Sequence, residues 1–184
     1  MNWRLCGDIL REMALIASLV VASNGATTLG GSSAPLSTPA DRERFLATHR
    51  AAKAFIIGRQ SALIESYVAS DVPIYVFTRN TTPLQLPHPQ MRQVVVSGDL
   101  AQRVKEIAVN LEGDLVVEAG PTLLMALVEA GVIEILQLSL VEIEGDGNFI
   151  DAARLLSHFT VVTDVEVDHT RLLECRYKSD SANS

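Results

Sequence analysis

Hydrophobic and polar positions alternate in blocks along the first 130 residues, and the blocks predict strands that alternate with helices. Short, nearly continuous apolar runs are typical of strands that are covered on both faces. Helices are predicted where apolar residues recur at spacings of three and four, as in Leu100, Val104, Ile107 and Leu111. The predicted strands are residues 13–22, 54–57, 73–78, 93–97 and 115–118. The predicted helices are residues 41–50, 61–69, 100–110 and 121–130.

The rest of the chain is rich in strand-forming residues. Residues 133–141, 160–167 and 171–177 are predicted strands, with a turn at Asp168 and His169. The sequence therefore predicts an α/β fold, with a mostly parallel central sheet flanked by helices on both faces and antiparallel C-terminal strands.

The first of the predicted helices shows how the boundaries are set. Thr38 or Asp41 caps the helix at 41–50, and Phe45 and Leu46 are expected to face the core. Residues 24–39 before it and residues 81–90 further on are predicted loops, because they are rich in residues that favour turns.

Composition narrows the class of protein. The chain has 184 residues, of which 48% are hydrophobic, and we expect a single domain over residues 1–184. A net charge of −7 with no basic run argues against nucleic acids and anionic membranes as partners. Cys6 and Cys175 stand alone at opposite ends of the chain, which excludes a zinc scaffold, predicts no metal and favours a reducing cytoplasm.

The apolar run at 13–22 has a second interpretation, since Arg4 and Arg11 precede it as in a signal peptide. Asp8 and Glu12 in the same flank argue against that interpretation. The run is also too short to span a bilayer, which takes about 20 residues. A buried first strand explains it better.

Small and polar residues follow each predicted strand of the parallel part. Such residues meet at one edge of the sheet, where open α/β sheets bind ligands and helix N-termini hold phosphates. Gly120 followed by Pro121 is the best candidate, since glycine admits a close ligand and proline suits the first helical position. For any single strand end, the alternative to a ligand site is a structural turn that requires glycine.

Arg59 and Arg79 each come directly after a strand, so they suggest a phosphate ligand. Neither strand is followed by the acidic residue that holds a free ribose 2′-hydroxyl, so NADP is favoured over NAD. The segment from Gly25 to Ser32 has the spacing of a Walker A loop but carries Gly31 where that loop needs lysine. The GxGxxG fingerprint of the common dinucleotide-binding fold is absent.

Three segments carry a family resemblance: ASNGATTLGGSSAPLSTPADRERF (22–45), AAKAFIIGRQSALIESY (51–67) and LVVEAGPTLLMALVEAGVIEILQLSL (115–140). They resemble the reductase domain of the bifunctional riboflavin-biosynthesis deaminase-reductase, which has the dihydrofolate-reductase fold. The matching motifs are S-x-D/N-G, P-L-S…D…F, V-G-x-x-T and E-G-G-P-T-L. The last is the most specific, because it combines a strand, a turn and a helix start.

The resemblance implies an NADPH-dependent reductase that transfers hydride to the ribosylamino carbon of a phosphorylated aminopyrimidine. It places Asn24 and Ser37 on the substrate side and makes Glu65 and Glu118 the candidate catalytic residues. A surface carboxylate is the alternative for Glu65, and a structural acceptor for the next helix is the alternative for Glu118. The residues expected along the cofactor are Gly58, Arg59, Ser61, Thr78, Arg79, Gly98, Ala119, Gly120, Pro121, Thr122 and Leu123.

Several positions depart from the family pattern. Ala119 replaces the first glycine of E-G-G, and Asn24 replaces the commoner aspartate. Residues 141–147 lack the usual proline and carry three carboxylates, which suit a phosphorylated ligand poorly. The zinc deaminase motif H-x-E…P-C-x-x-C is missing, so we expect a stand-alone reductase-like domain.

These departures keep two further functions open. One is a reductase of another pterin-like or folate-like substrate, and the other is a relative that binds NADP without turnover. Because the resembled family pairs its reductase domains through strands, the strand-rich C-terminal part also predicts a homodimer.

Overall fold

The computed structural model describes residues 13–64 and 70–178, and its main feature is one eight-stranded sheet. Apolar, often β-branched residues form the central strands, as expected for strands without a solvent face. The strands are β1 (Leu15–Ala22), β2 (Ala54–Gly58), β3 (Ile74–Thr78), β4 (Met91–Val95), β5 (Leu115–Glu118), β6 (Ile135–Val141), β7 (Phe159–Val167) and β8 (Thr170–Tyr177).

The strand order is β4-β3-β2-β5-β1-β6-β8-β7. Strands β1 to β6 pair in parallel, whereas β8 is antiparallel to both β6 and β7. The predicted fold class is confirmed, including the antiparallel C-terminal strands. In the sheet, β2 lies between β3 and β5, so the carboxyl ends of these three strands lie side by side.

Five α-helices and one 3₁₀ helix connect the strands in the described ranges: the 3₁₀ turn (Ala34–Leu36), α1 (Pro39–Ala51), α2 (Arg59–Ile64), α3 (Leu100–Ala108), α4 (Pro121–Glu129) and α5 (Ala152–Ser157). Thr38 caps α1, because its hydroxyl accepts the Asp41 backbone N–H at 3.3 Å. Asp99 caps α3 in the same way through Ala101. The helix predicted at 61–69 begins earlier, at Arg59, and its residues 65–69 lie outside the described part of the chain.

Both faces of the sheet are buried. Along β1, Leu15 and Ala17 belong to one apolar cluster, while Ile16 points to the other. Leu124 of α4 covers the first face and Ala62 of α2 covers the second. The helices therefore flank the sheet on both sides, as predicted.

Three predictions need correction or extension. Leu46 does not face the core but is 36% exposed, because α1 turns that side toward a cleft. The strand predicted at 93–97 begins two residues earlier, at Met91. No element was predicted at α5, which Asp151 caps by accepting the Arg154 N–H at 3.0 Å.

The C-terminal hairpin follows the prediction closely. Asp168 and His169 form its two-residue turn with φ of 46° and 60°, the left-handed conformation that such hairpin turns require. Cys175 of β8 is buried, whereas Cys6 lies outside the described residues. Over ranges 13–64 and 70–178, none of the helices combines the length and apolar character needed to cross a bilayer.

Candidate functional site

A cleft of about 1300 Å³ follows the carboxyl ends of the parallel strands. It passes the ends of β2, β3 and β5 and runs along one face of α1. This is the position at which open α/β sheets bind ligands. The cleft is lined by every residue that the sequence assigned to a cofactor, namely Gly58, Arg59, Ser61, Thr78, Arg79, Gly98, Ala119, Gly120, Pro121, Thr122 and Leu123.

The turn after β5 opens directly into this cleft. Gly120 is the N-cap of α4 and Pro121 is its first residue, and no side chain of the described residues caps the helix. The N–H groups of the first helical turn therefore have no intrahelical partner. A Cβ built on Gly120 would meet no described atom within 4 Å. The helix end thus offers both free donors and room for a ligand.

Ala119 fits this turn without obstructing it. The residue is 5% exposed and packs in the same core cluster as Val117 and Leu124. Its extra methyl group, compared with the glycine of the resembled motif, is therefore accommodated by the core.

Arg59 and Arg79 project from the ends of neighbouring parallel strands. Gly58 at the end of β2 is paired with Phe77 in β3, so the two arginines follow adjacent strand ends about 4.8 Å apart. Both are exposed, and neither has an ion-pair partner among the described residues. In a chain with a net charge of −7, they form a local positive site suited to a phosphate.

Glu118 stands at the end of β5, at the floor of the cleft. Its carboxylate contacts Nε2 of His49, which reaches it from α1. The side chain of Glu118 is 11% exposed and that of His49 is 24% exposed. The carboxylate therefore meets the cleft but is largely shielded from bulk water.

A second carboxylate, Asp41 of α1, also lines the cleft and is buried. Ser37 and Ser139 donate to its two oxygens. Arg44 donates to the Ser139 hydroxyl at 2.7 Å and to the Leu173 carbonyl at 3.0 Å. Burial lowers the pKa of the Arg44 guanidinium, while Asp41 opposes that shift. This network fixes α1 to β6 and β8.

Asn24 does not line the cleft. Its side-chain amide donates to the Gly145 carbonyl at 2.8 Å and accepts the Gly145 N–H at 3.2 Å and the Ala26 N–H at 3.3 Å. An aspartate could not make the first of these bonds, since an ionised carboxylate only accepts. The structure therefore gives Asn24 a role in joining two loops and explains its replacement of aspartate.

The acidic loop at 141–147 also lies away from the cleft lining. Asp146 accepts the Gly30 N–H with both oxygens, at 3.0 and 2.9 Å, and Glu142 pairs with His169 at 3.2 Å. The loop is hydrogen-bonded to Thr28, which lines the cleft, so it borders the cleft without contributing a lining residue. Within ranges 13–64 and 70–178, no group of His, Cys, Asp and Glu has a metal-binding arrangement.

Ser37 lines the cleft, and its place on the substrate side stays a prediction, whereas Glu65 lies outside the described residues. The cleft-facing side of α1, which carries Arg42, His49 and Arg50, was not predicted from the sequence. These residues share a helical stripe with Phe45 and Leu46. A stripe that mixes apolar and basic residues is unusual for a helix face that packs on the core. This mixture was the signal in the sequence that could have identified the cleft-facing side of α1.

No protein-family model and no curated protein sequence matches the chain, but solved structures match its fold. A protein from a Shewanella species described as a riboflavin biosynthesis protein has a TM-score of 0.66 and 16% identity, over 91% of this chain and 100% of its own. Dihydrofolate reductase from Enterococcus faecalis, solved with NADP(H), has a TM-score of 0.66 and 17% identity, over 92% and 98%.

A third match is the diaminohydroxyphosphoribosylaminopyrimidine deaminase/5-amino-6-(5-phosphoribosylamino)uracil reductase of Thermotoga maritima. It has a TM-score of 0.63 and 11% identity, over 91% of this chain and 57% of its own. The present chain thus spans a little more than half of that bifunctional protein. Identities at this level establish the fold and not the activity. The chain therefore has the dihydrofolate-reductase-like fold.

Proposed function

We propose that the chain is an NADPH-dependent reductase that delivers hydride to the ribosylamino carbon of a phosphorylated aminopyrimidine, similar to 5-amino-6-(5-phosphoribosylamino)uracil reductase. One observation carries the proposal. Two arginines without ion-pair partners among the described residues share a cleft with the uncapped N-terminus of α4. Both features suit the phosphates of a dinucleotide.

The residues of the cleft fit NADPH along its length. Arg59 and Arg79 would hold the 2′-phosphate, and the N–H groups of Thr122 and Leu123 would hold the pyrophosphate. The absence of a side chain at Gly120 lets the pyrophosphate approach the helix end. When bound, NADPH supplies a hydride from its nicotinamide ring.

Other residues of the cleft would serve the substrate. Glu118, at the junction between the helix end and α1, would handle the proton that accompanies hydride transfer. Arg42 and Arg50 on α1 supply positive charge for an anionic substrate group. Ser37 and Asn24 stay candidates for the substrate side, although the Asn24 amide also joins two loops, and Glu65 stays a candidate catalytic residue.

The proposal extends to assembly as a homodimer. β7 is the last strand of the sheet, and residues 160–167 are exposed along their whole length. Val161, Val162, Val165 and Val167 are between 40% and 55% exposed. Such an apolar edge strand invites pairing with a second copy of the chain, as in the resembled family. We further propose a single domain acting in a reducing cytoplasm, where Cys175 stays a thiol.

The test is an NADPH titration followed by single-turnover oxidation. The acceptors are a phosphoribosylamino-pyrimidine, a dihydropterin and dihydrofolate, each mixed with the NADPH-bound protein. The proposal predicts tight NADPH binding and oxidation with the first acceptor. Oxidation with a pterin or dihydrofolate alone would retain the reductase and replace the substrate. Binding without oxidation would indicate a relative without turnover, and the absence of binding would refute the proposed function.

A further inference from the structure

His49 meets Glu118 at the point where α1 crosses the end of β5. Its Nε2 atom contacts a carboxylate oxygen of Glu118, and both residues line the cleft. The pair joins the helix that carries the proposed substrate face to the strand that leads into the proposed pyrophosphate turn. No motif in the sequence identified His49 as a candidate site residue.

Two aromatic rings pack against the imidazole ring of His49. The ring of Phe45, one turn earlier in α1, lies 4.3 Å from it between centroids, and the ring of Phe55 in β2 lies 4.4 Å from it. Phe55 is itself 2% exposed, so its ring belongs to the core. These two contacts restrict rotation of the imidazole, whose Nε2 atom is directed at Glu118.

This arrangement differs from that of a histidine that only fills space. A phenylalanine would satisfy the two aromatic neighbours equally well, but it would leave the largely buried carboxylate of Glu118 without this partner. His49 also retains contact with solvent, since 24% of its side chain is exposed. The imidazole is therefore exposed to solvent as well as in contact with Glu118.

We infer that His49 is the positioning residue of Glu118 and returns a proton to it during turnover. This inference rests on the proposed reductase function. As the acceptor carbon gains hydride, the electron pair of its C=N bond moves to nitrogen, which takes the proton of the Glu118 carboxyl group. Glu118 regains a proton from Nε2 of His49 while the other ring nitrogen takes a proton from solvent, so the imidazole stays neutral. NADPH becomes NADP⁺, so electrons and protons balance.

The first test needs no substrate. Protein labelled with ¹⁵N in its histidine rings is recorded by NMR, and the His49 signals are assigned by their loss in His49→Phe. The inference predicts that Glu118→Gln shifts the His49 ring signals, and that NADPH shifts them in the wild type. The signals of His158, which stacks on Tyr177 outside the cleft, should not move in either case. Unmoved His49 signals in Glu118→Gln would overturn the pair.

The second test separates positioning from packing. His49→Phe preserves the aromatic contacts, so we expect a folded protein with nearly unchanged NADPH affinity but a hydride-transfer rate lower by about 10- to 100-fold. His49→Gln, which retains a donor, should recover part of the rate. His158→Phe is the matched control and should keep the wild-type rate.

A wild-type rate in His49→Phe would overturn the proton-return role and leave His49 as a packing residue. Absence of NADPH binding in the wild type, or of turnover with every acceptor, would overturn the role together with the proposed function. In that event the Glu118→Gln spectra would still decide whether the pair exists, so the two failures are distinguishable.

Discussion

Replacing Arg79 by alanine is expected to weaken NADPH binding by about 10- to 150-fold and to leave NADH binding almost unchanged. The estimate follows from the loss of one charge-assisted hydrogen bond, about 1.5–3 kcal/mol, at 1.4 kcal/mol for each factor of ten. Arg79 is exposed, so salt screens the contact and the lower half of this range applies at physiological ionic strength. NADH has no 2′-phosphate and therefore loses nothing.

The same reasoning applies to Arg59, which follows the neighbouring strand β2. If both arginines hold one phosphate, the double variant should lose less than the sum of the two single losses. Neither substitution should affect folding, since neither arginine has an ion-pair partner in the described part of the chain.

Titration of each cofactor by fluorescence measures these affinities at low and at high salt. Arg92→Ala is the matched control, because Arg92 is also exposed but lies on β4 outside the cleft lining. Equal losses for NADPH and NADH would refute the phosphate assignment. A loss of NADPH affinity in Arg92→Ala as large as in Arg79→Ala would show that net charge, and not a specific contact, attracts the cofactor.

Four further outcomes are expected. Gly120→Val should fold, since a Cβ at this position meets no described atom within 4 Å. It should abolish NADPH binding in the same titration. Retained affinity would show that NADPH does not bind at this turn. Ser139→Ala should lower the free energy of unfolding by about 1–3 kcal/mol in urea, because it leaves Asp41 and Arg44 without their shared hydroxyl. Burial raises the pKa of the Cys175 thiol above its value in the unfolded chain, which is about 8.5. The free energy of unfolding should therefore fall as the pH rises above about 8.5. Cys175→Ala should not show this fall. Val165→Asp should give a folded monomer, against a wild-type dimer, in sedimentation equilibrium; a monomeric wild type would refute the dimer.

The order of elements could be predicted from sequence because the parallel strands are short apolar runs bounded by turn residues. Residues 115–118 matched β5 at both ends, since a loop precedes the run and Gly120 with Pro121 starts the next helix. α5 could not be predicted in this way. Its six residues depend on the Asp151 cap and on Leu155, which is buried by tertiary contacts that no local pattern reveals.

The side of the cleft proposed for the cofactor was predictable for a different reason. Its residues follow strand ends, and the topology of a parallel sheet brings strand ends together whatever lies between them. The side formed by α1 was harder to predict, because its helical stripe combines Phe45 and Leu46 with His49. Apolar residues on a helix indicate burial, but they do not tell whether the covering group is the core or a ligand.

The most direct test of the account is a crystal structure of the protein with NADP⁺ bound. The account predicts the 2′-phosphate between Arg59 and Arg79, the pyrophosphate at the N-terminus of α4, and the nicotinamide ring beside Glu118. A cofactor bound elsewhere, or in this cleft with its 2′-phosphate away from both arginines, would contradict the account.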